Sequence, residues 1–203
     1  VGFDLCCIWA EVPMVLRLGW RHRLISFRPA NYVVLGYKPD RRSSAGVTRT
    51  MFGMTFFAPP LRRFYALRWQ GEGYVPDLDG AVEALERFSR SPFPTRIVGF
   101  PSYLWFGLKR MEELGISLRL RPGSKILLAG GWKQHWQQQV DKSVLYSLVR
   151  RVLGVGEEDI HELFGAVEHF RREFDDHIGV LARFHGLCEM GFHRVNERHI
   201  AGG

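Results

Sequence analysis

The chain has 203 residues, of which 46% are hydrophobic and 24% are charged. This is the composition of a globular protein with room for one sizeable core. No stretch of eighteen apolar residues is free of charge, so we predict no membrane-spanning helix. The net charge of +7 is scattered and accompanies no nucleic-acid-binding motif. We therefore interpret it as a solvated basic surface and expect no nucleic-acid partner.

The three cysteines are Cys6, Cys7 and Cys188. Two are adjacent, the count is odd and no Cys-x-x-Cys pair occurs, which favours a reducing cytoplasm over a disulfide framework or a zinc site. The chain begins at Val1 without an initiating Met, and we expect it to be a piece of a longer protein.

The first predicted elements are two strands, at residues 31–37 and 63–69, because both runs are rich in β-branched and aromatic residues. A turn is predicted at residues 71–76. Asp79 then suits the N-cap of a helix whose apolar positions share one face.

The second half of the chain alternates strands and helices. Strands are predicted at residues 95–100 and 125–129, and the helix that follows the second has Val144 and Leu145 among its inward positions. The predicted helix starts and ends are, in chain order, Pro101, Gly115, Asp141 and Gly154. This order predicts an α/β fold with a mainly parallel sheet flanked by helices.

Three strand ends carry residues suited to ligand binding. In the first, the strand at 125–129 runs into Gly130 and Gly131, which let the backbone approach a flat ligand at the carboxyl edge of the sheet. A tight turn without a ligand explains the same glycines. His135, just beyond, suits either a phosphate contact or an ordinary surface position.

The second strand end is predicted one helical crossover later, around residues 163–168, beside the first. An aromatic ring there, Phe164, can stack on a base, and a carboxylate, Glu168, can hold Mg²⁺ against phosphate oxygens. A solvated helix glutamate is the alternative for Glu168. The third is the junction at residues 99–104, where a helix N-terminus suits an anion or an acyl pocket, although Ser102 also suits an ordinary turn.

The run GFPSYLWFGLKRMEELGISLRLRPGSKILLAGGWK, followed after a helix by LGVGEEDIHELFGAVEH, resembles the acyl-protein synthetase (LuxE-like) family of adenylate-forming enzymes. The resemblance covers about residues 30–169. It implies a part of the larger domain of an enzyme that uses ATP to activate a fatty acid to an acyl-adenylate. It also implies transfer of the acyl group to a protein thiol.

The resemblance also implies the site. The nucleotide-side loop would be Gly130, Gly131, Trp132 and Lys133. The aromatic-glycine step would be Phe164 and Gly165, with Phe in place of the family's Tyr, and the catalytic carboxylate that holds Mg²⁺ through an ATP phosphate would be Glu168.

The implied partners are a fatty acid or another carboxylate and an acyl-accepting or acyl-donating protein. The family's glycine-rich phosphate loop is not found, because residues 42–48 lack the necessary glycines. We therefore expect the chain alone to be inactive. The predicted division is a poorly defined segment at 1–30, the synthetase-like domain at 31–169 and a divergent basic tail at 170–203.

Two alternatives stay open. An acyl- or aryl-CoA ligase of the phenylacetate ligase type would form its thioester on CoA instead of on protein. A non-catalytic basic binding module would bind nucleic acid in a salt-dependent manner and would not respond to ATP.

Overall fold

The computed structural model describes residues 16–17, 19–39, 46–71 and 73–162. Six strands form one sheet in the order β3-β2-β1-β4-β5-β6. All neighbouring strands are parallel except β3, which runs antiparallel to β2. The strands are β1 (Ala30–Tyr37), β2 (Pro60–Gln70), β3 (Gly73–Pro76), β4 (Thr95–Gly99), β5 (Lys125–Leu128) and β6 (Ile160–Glu162).

The sheet is flanked by helices, which confirms the predicted α/β class. The α-helices are α1 (Gly46–Met54), α2 (Leu78–Ser89), α3 (Pro101–Glu113) and α4 (Lys142–Leu153), and two 3₁₀ helices span Lys133–Gln138 and Glu157–Asp159. Within the described part of the chain, no helix is long and apolar enough to cross a membrane.

The start of α2 differs from the prediction. Asp77, not Asp79, is the N-cap, and its Oδ1 accepts a hydrogen bond of 2.9 Å from the Gly80 N–H. Asp77 has the non-helical backbone that a cap requires, with φ −119° and ψ 77°. Asp79 lies in the first turn and pairs with Arg110 at 2.8 Å.

The predicted turn at 71–76 is wrong in part, because its last four residues form β3. Tyr74 lies opposite Trp69 in the resulting hairpin, with ring centroids 5.1 Å apart. A cross-strand aromatic contact of this kind stabilises so short a strand, and periodicity over four residues gives no signal of it.

The other predicted helix ends are confirmed. Gly115 and Gly154 have left-handed φ angles of 66° and 67°, and Asp141 caps α4. Val144, however, is 48% exposed, so its predicted inward position is wrong. The inward stripe of α4 follows the helical repeat through Leu145, Leu148, Val149 and Val152, and Val144 lies at its border.

The two faces of the sheet are covered differently. On the first face α2, α3 and α4 pack on aliphatic strand residues such as Val33, Ile97 and Ile126. On the second face Met51 of α1 and Leu24 pack on the alternate strand positions, among them Leu127. The crossovers on both sides leave the carboxyl ends of β1, β4, β5 and β6 at one edge.

Candidate ligand-binding edge

The strand order reverses its direction between β1 and β4. Open α/β sheets bind ligands in the crevice outside the carboxyl ends of the strands at such a switch point. Backbone hydrogen bonds tie the strand ends together here. The Phe100 N–H donates to the Leu35 carbonyl at 3.1 Å, and the Ala129 N–H donates to the Gly99 carbonyl at 2.9 Å.

Gly99 allows the closest approach at this edge. Its φ is 153°, and a Cβ atom placed there would lie 2.2 Å from the Leu35 carbonyl oxygen. A side chain would force β1 and β4 apart, so a glycine at the end of β4 keeps the two strands paired up to the switch point.

Aromatic side chains line the edge. We call them the edge ring cluster: Tyr37, Tyr74, Phe100, Tyr103, Phe106 and His135. The rings of Tyr37 and Phe100 are 5.7 Å apart, and those of Tyr37 and Tyr74 are 4.6 Å apart. Tyr103 lies 6.2 Å from Phe100. The cluster therefore extends from the end of β1 across β4 to the first turns of α3.

The predicted glycine loop folds back towards this cluster. Gly130 takes a left-handed φ of 74°, which turns the chain out of β5. Lys133 then begins a 3₁₀ helix. His135 of that helix lies 5.7 Å from the Tyr103 ring and 4.9 Å from the Phe106 ring, so the loop contacts the start of α3.

Of the remaining predicted site residues, Gly131 and Trp132 are described by the structure and differ in their exposure. Gly131 is partly exposed, so its backbone is accessible to a flat ligand, whereas Trp132 is 8% exposed and packs into the protein. Phe164, Gly165 and Glu168 lie outside the described residues.

A second strand end lies beside β5, at Glu162, directly before the predicted stretch at residues 163–168, which lies outside the described residues. Glu162, the last residue of β6, is opposite Leu128, the last residue of β5. Its carboxylate accepts a hydrogen bond of 2.7 Å from the Tyr146 hydroxyl and also binds Lys142. Burial, together with this carboxylate, raises the pKa of Tyr146. The phenol therefore remains a donor and fixes the end of β6 to α4.

Sequence reasoning missed Glu162 and Tyr37 as residues of this edge, whereas Tyr103 lies in the junction at residues 99–104 that it singled out. The only signal for Glu162 and Tyr37 was their position at a strand end. Burial, and then the neighbouring Tyr37, raises the pKa of Tyr103, so its hydroxyl stays protonated near neutral pH. No three His, Cys, Asp or Glu side chains of the described residues gather into a metal-binding group.

The fold and this edge together define an open α/β protein whose sheet is covered on both faces and has a topological switch point, the place where folds of this class bind ligands. A family model described as acyl-protein synthetase, LuxE, matches residues 77–185. That span is more than half of the chain and includes α2 to β6, and the chain therefore belongs to the acyl-protein synthetase (LuxE) family. Neither a curated protein nor a solved structure matches it.

Proposed function

We propose that this chain forms part of an acid–thiol ligase that activates a fatty acid with ATP and passes the acyl group to a protein thiol. The observation that carries the proposal is the family match, which spans the strand ends of β4, β5 and β6. An enzyme of this family acts on a carboxylate, and the switch-point edge is where the fold offers a crevice for one.

The edge suits a nucleotide. Gly130 turns the chain out of the sheet and Gly131 presents backbone without a side chain, so a flat base can lie close to the loop. The segment with Phe164, Gly165 and Glu168 begins directly after β6 in the sequence. We propose that Phe164 stacks on the base and that Glu168 holds Mg²⁺ on the ATP phosphates.

The chemistry requires charge to be offset at phosphorus. A carboxylate attacks the α-phosphate of ATP and pyrophosphate leaves. The acyl-adenylate then transfers its acyl group to a thiol, which loses its proton, and AMP leaves. Mg²⁺ supplied with the nucleotide would neutralise the phosphate oxygens, and oriented donors of the protein would stabilise the charge that develops. The family's phosphate loop would have to come from residues outside this chain, so we propose that the chain alone binds ligands but does not turn over.

Ligand binding and turnover test these two statements separately. The chain is titrated with Mg·ATP and with a sulfamate analogue of octanoyl-adenylate, and pyrophosphate exchange is assayed with and without octanoate. We expect binding of both ligands, tightest for the analogue, without exchange. The coding sequence extended upstream should restore octanoate-dependent exchange, and the absence of both binding and restored exchange would reject the proposal.

The Glu168→Gln variant tests the metal role. It should abolish the Mg²⁺ dependence of ATP binding, and Glu83→Gln, which changes an exposed glutamate of α2, should not.

Acyl transfer by the extended protein to CoA instead of to protein would indicate the phenylacetate ligase type. Salt-dependent nucleic-acid binding without any ATP effect would indicate a basic binding module.

A further inference from the structure

The N-terminus of α3 lacks the cap that its neighbours have. The Asp77 carboxylate accepts from the Gly80 N–H at the start of α2. Asp141 accepts from both the N–H and the hydroxyl of Ser143 at the start of α4, at 2.8 and 2.6 Å. The N-cap of α3 is Phe100, whose side chain has no acceptor, and α3 is the helix that starts at the switch point.

Three donors at this helix end make no hydrogen bond to any described residue. The first bond of α3 runs from the Leu104 N–H to the Phe100 carbonyl, at 3.1 Å. Pro101 has no N–H, so the N–H groups of Ser102 and Tyr103 are the unpaired backbone donors of the first turn. The Ser102 hydroxyl is enclosed, in a residue only 1% exposed, and it also has no partner.

These donors converge on one place. Side chains in a helix tilt towards its N-terminus, so the Ser102 hydroxyl projects towards the same end as the two free N–H groups. The helix dipole adds about half a positive charge there. A buried donor without an acceptor costs about 1–3 kcal/mol, and the enclosed Ser102 hydroxyl is such a donor at the edge where folds of this class bind ligands.

The surroundings favour one class of anion. No Lys, Arg, Asp or Glu occurs from Gly99 to Leu104, so within this segment the positive potential comes from the helix dipole and the donors, while Lys38 follows β1 at the same edge. That potential suits the single charge of a carboxylate better than the several charges of a triphosphate. The half-buried rings of Tyr103 and Tyr37, on either side of the buried Phe100 ring, would present apolar surface to the body of the same molecule.

We propose that the N-terminus of α3, through the Ser102 hydroxyl and the N–H groups of Ser102 and Tyr103, binds the carboxylate of the acyl substrate. Ser102 is thus a positioning residue that holds the acid at the edge of the sheet next to the glycine loop. The inference rests on the proposed function for the identity of the acid. Because the hydroxyl is enclosed, a carboxylate reaches it only when neighbouring side chains move.

Calorimetric titration of the 203-residue chain with octanoate, octan-1-ol and inorganic pyrophosphate tests the assignment. The variants are Ser102→Ala and the matched control Ser143→Ala, which changes the serine at the same helical position in the capped α4. We expect Ser102→Ala to weaken octanoate binding about tenfold to a hundredfold, as for loss of a bond to a charged group. Octanol binding, and every affinity of Ser143→Ala, should remain unchanged.

The stability of the free chain gives a second readout. The Ser102 hydroxyl has no partner to lose, so Ser102→Ala should not lower the midpoint of thermal unfolding. Octanoate binding that is absent, or that is insensitive to Ser102→Ala, overturns the proposal, and so does an equal loss of octanol affinity. A Ser102-dependent affinity for pyrophosphate instead of octanoate overturns the carboxylate assignment.

The same titrations separate this inference from the proposed function. If Mg·ATP and the adenylate analogue bind but Ser102→Ala leaves octanoate affinity unchanged, the carboxylate site is wrong and the ligase proposal stands. If octanoate binding depends on Ser102 while neither nucleotide ligand binds, the site stands and the ATP-dependent reaction is wrong.

Discussion

The two faces of the sheet are built from the same strands but differ in what they bury. The first face is an aliphatic layer under α2, α3 and α4. The strand register places Arg63, Arg96 and His161 on the second face, since they lie opposite Tyr32 and Leu127. Several residues on this second face and on α1 have a buried polar atom without a hydrogen-bond partner. They are Thr48, Arg63, Tyr65, Arg96 and His161.

The two faces of the sheet should therefore contribute differently to the stability of the domain. Burial of aliphatic side chains stabilises the first face by about 25 cal/mol per Å² of apolar surface. Each enclosed polar atom without a partner on the second face costs about 1–3 kcal/mol. We therefore expect the first face to supply most of the stability. Two side chains that are equally buried on opposite faces should contribute unequally to the free energy of unfolding.

Truncation of a leucine on the first face is expected to have the largest effect. Leu108 of α3 is 1% exposed, and Leu108→Ala should lower the free energy of unfolding by about 2–5 kcal/mol, from lost transfer energy and the cavity left behind. Urea denaturation measures this. Leu114→Ala, at a position 48% exposed just beyond α3, should change stability by less than about 0.5 kcal/mol. Similar losses in both variants would contradict the assignment of the core.

Removal of a charge from the second face is expected to have a smaller effect, although the side chain is equally buried. Arg96 is 2% exposed, donates to the Leu24 carbonyl and leaves its Nε without a partner. Burial also lowers its pKa, which shows that the environment disfavours the cation. Arg96→Met keeps most of the volume and removes the buried charge, but it leaves the Leu24 carbonyl without its donor, so the free energy of unfolding should fall by no more than about 1–3 kcal/mol. A loss above about 3 kcal/mol would show that the guanidinium stabilises this face.

The sequence predicts the first face better than the second, for a physical reason. Short runs of β-branched, aromatic and aliphatic residues located β1, β2, β4 and β5, and apolar periodicity located α2 to α4, because burial against a common layer imposes both patterns. It failed at β3, where pairing depends on a cross-strand contact of Tyr74. It also failed at the cap of α2, where two aspartates compete and only backbone geometry chooses Asp77.

The candidate site was predicted only in outline. Gly130 and Gly131 were located because a strand that ends in glycines is visible in the sequence. The edge ring cluster was not, because Tyr37 and His135 are almost one hundred residues apart and only the strand order brings their elements to the same edge. The sequence also does not predict the unpaired donors at Ser102, because they are recognised only when the hydrogen bonds at the start of α3 are compared with those of the two capped helices.

The dependence of stability on pH gives the smallest expected effect and sharpens the contrast between the faces. Burial lowers the pKa of His161 below its usual 6.5, and the positive charges of Lys125, His22 and Arg96 lower it further, while Asp159 acts in the opposite direction. The unfolded chain therefore takes up this proton at a higher pH than the folded one. The contribution of neutral His161 is complete above the unfolded pKa and is lost as the pH falls below about 6.5.

Urea midpoints of the wild type and of His161→Gln, measured between pH 8 and pH 5, test this titration. The wild type should lose stability more steeply than the variant below pH 6.5, and the two curves should run parallel above it. His161 lies on the second face, where the guanidinium groups of Arg63 and Arg96 each leave one nitrogen without a partner, so its protonation adds repulsion that the aliphatic face cannot relieve. Parallel curves over the whole range would mean that water or another group screens His161, and that the second face tolerates charge better than its unpaired atoms indicate.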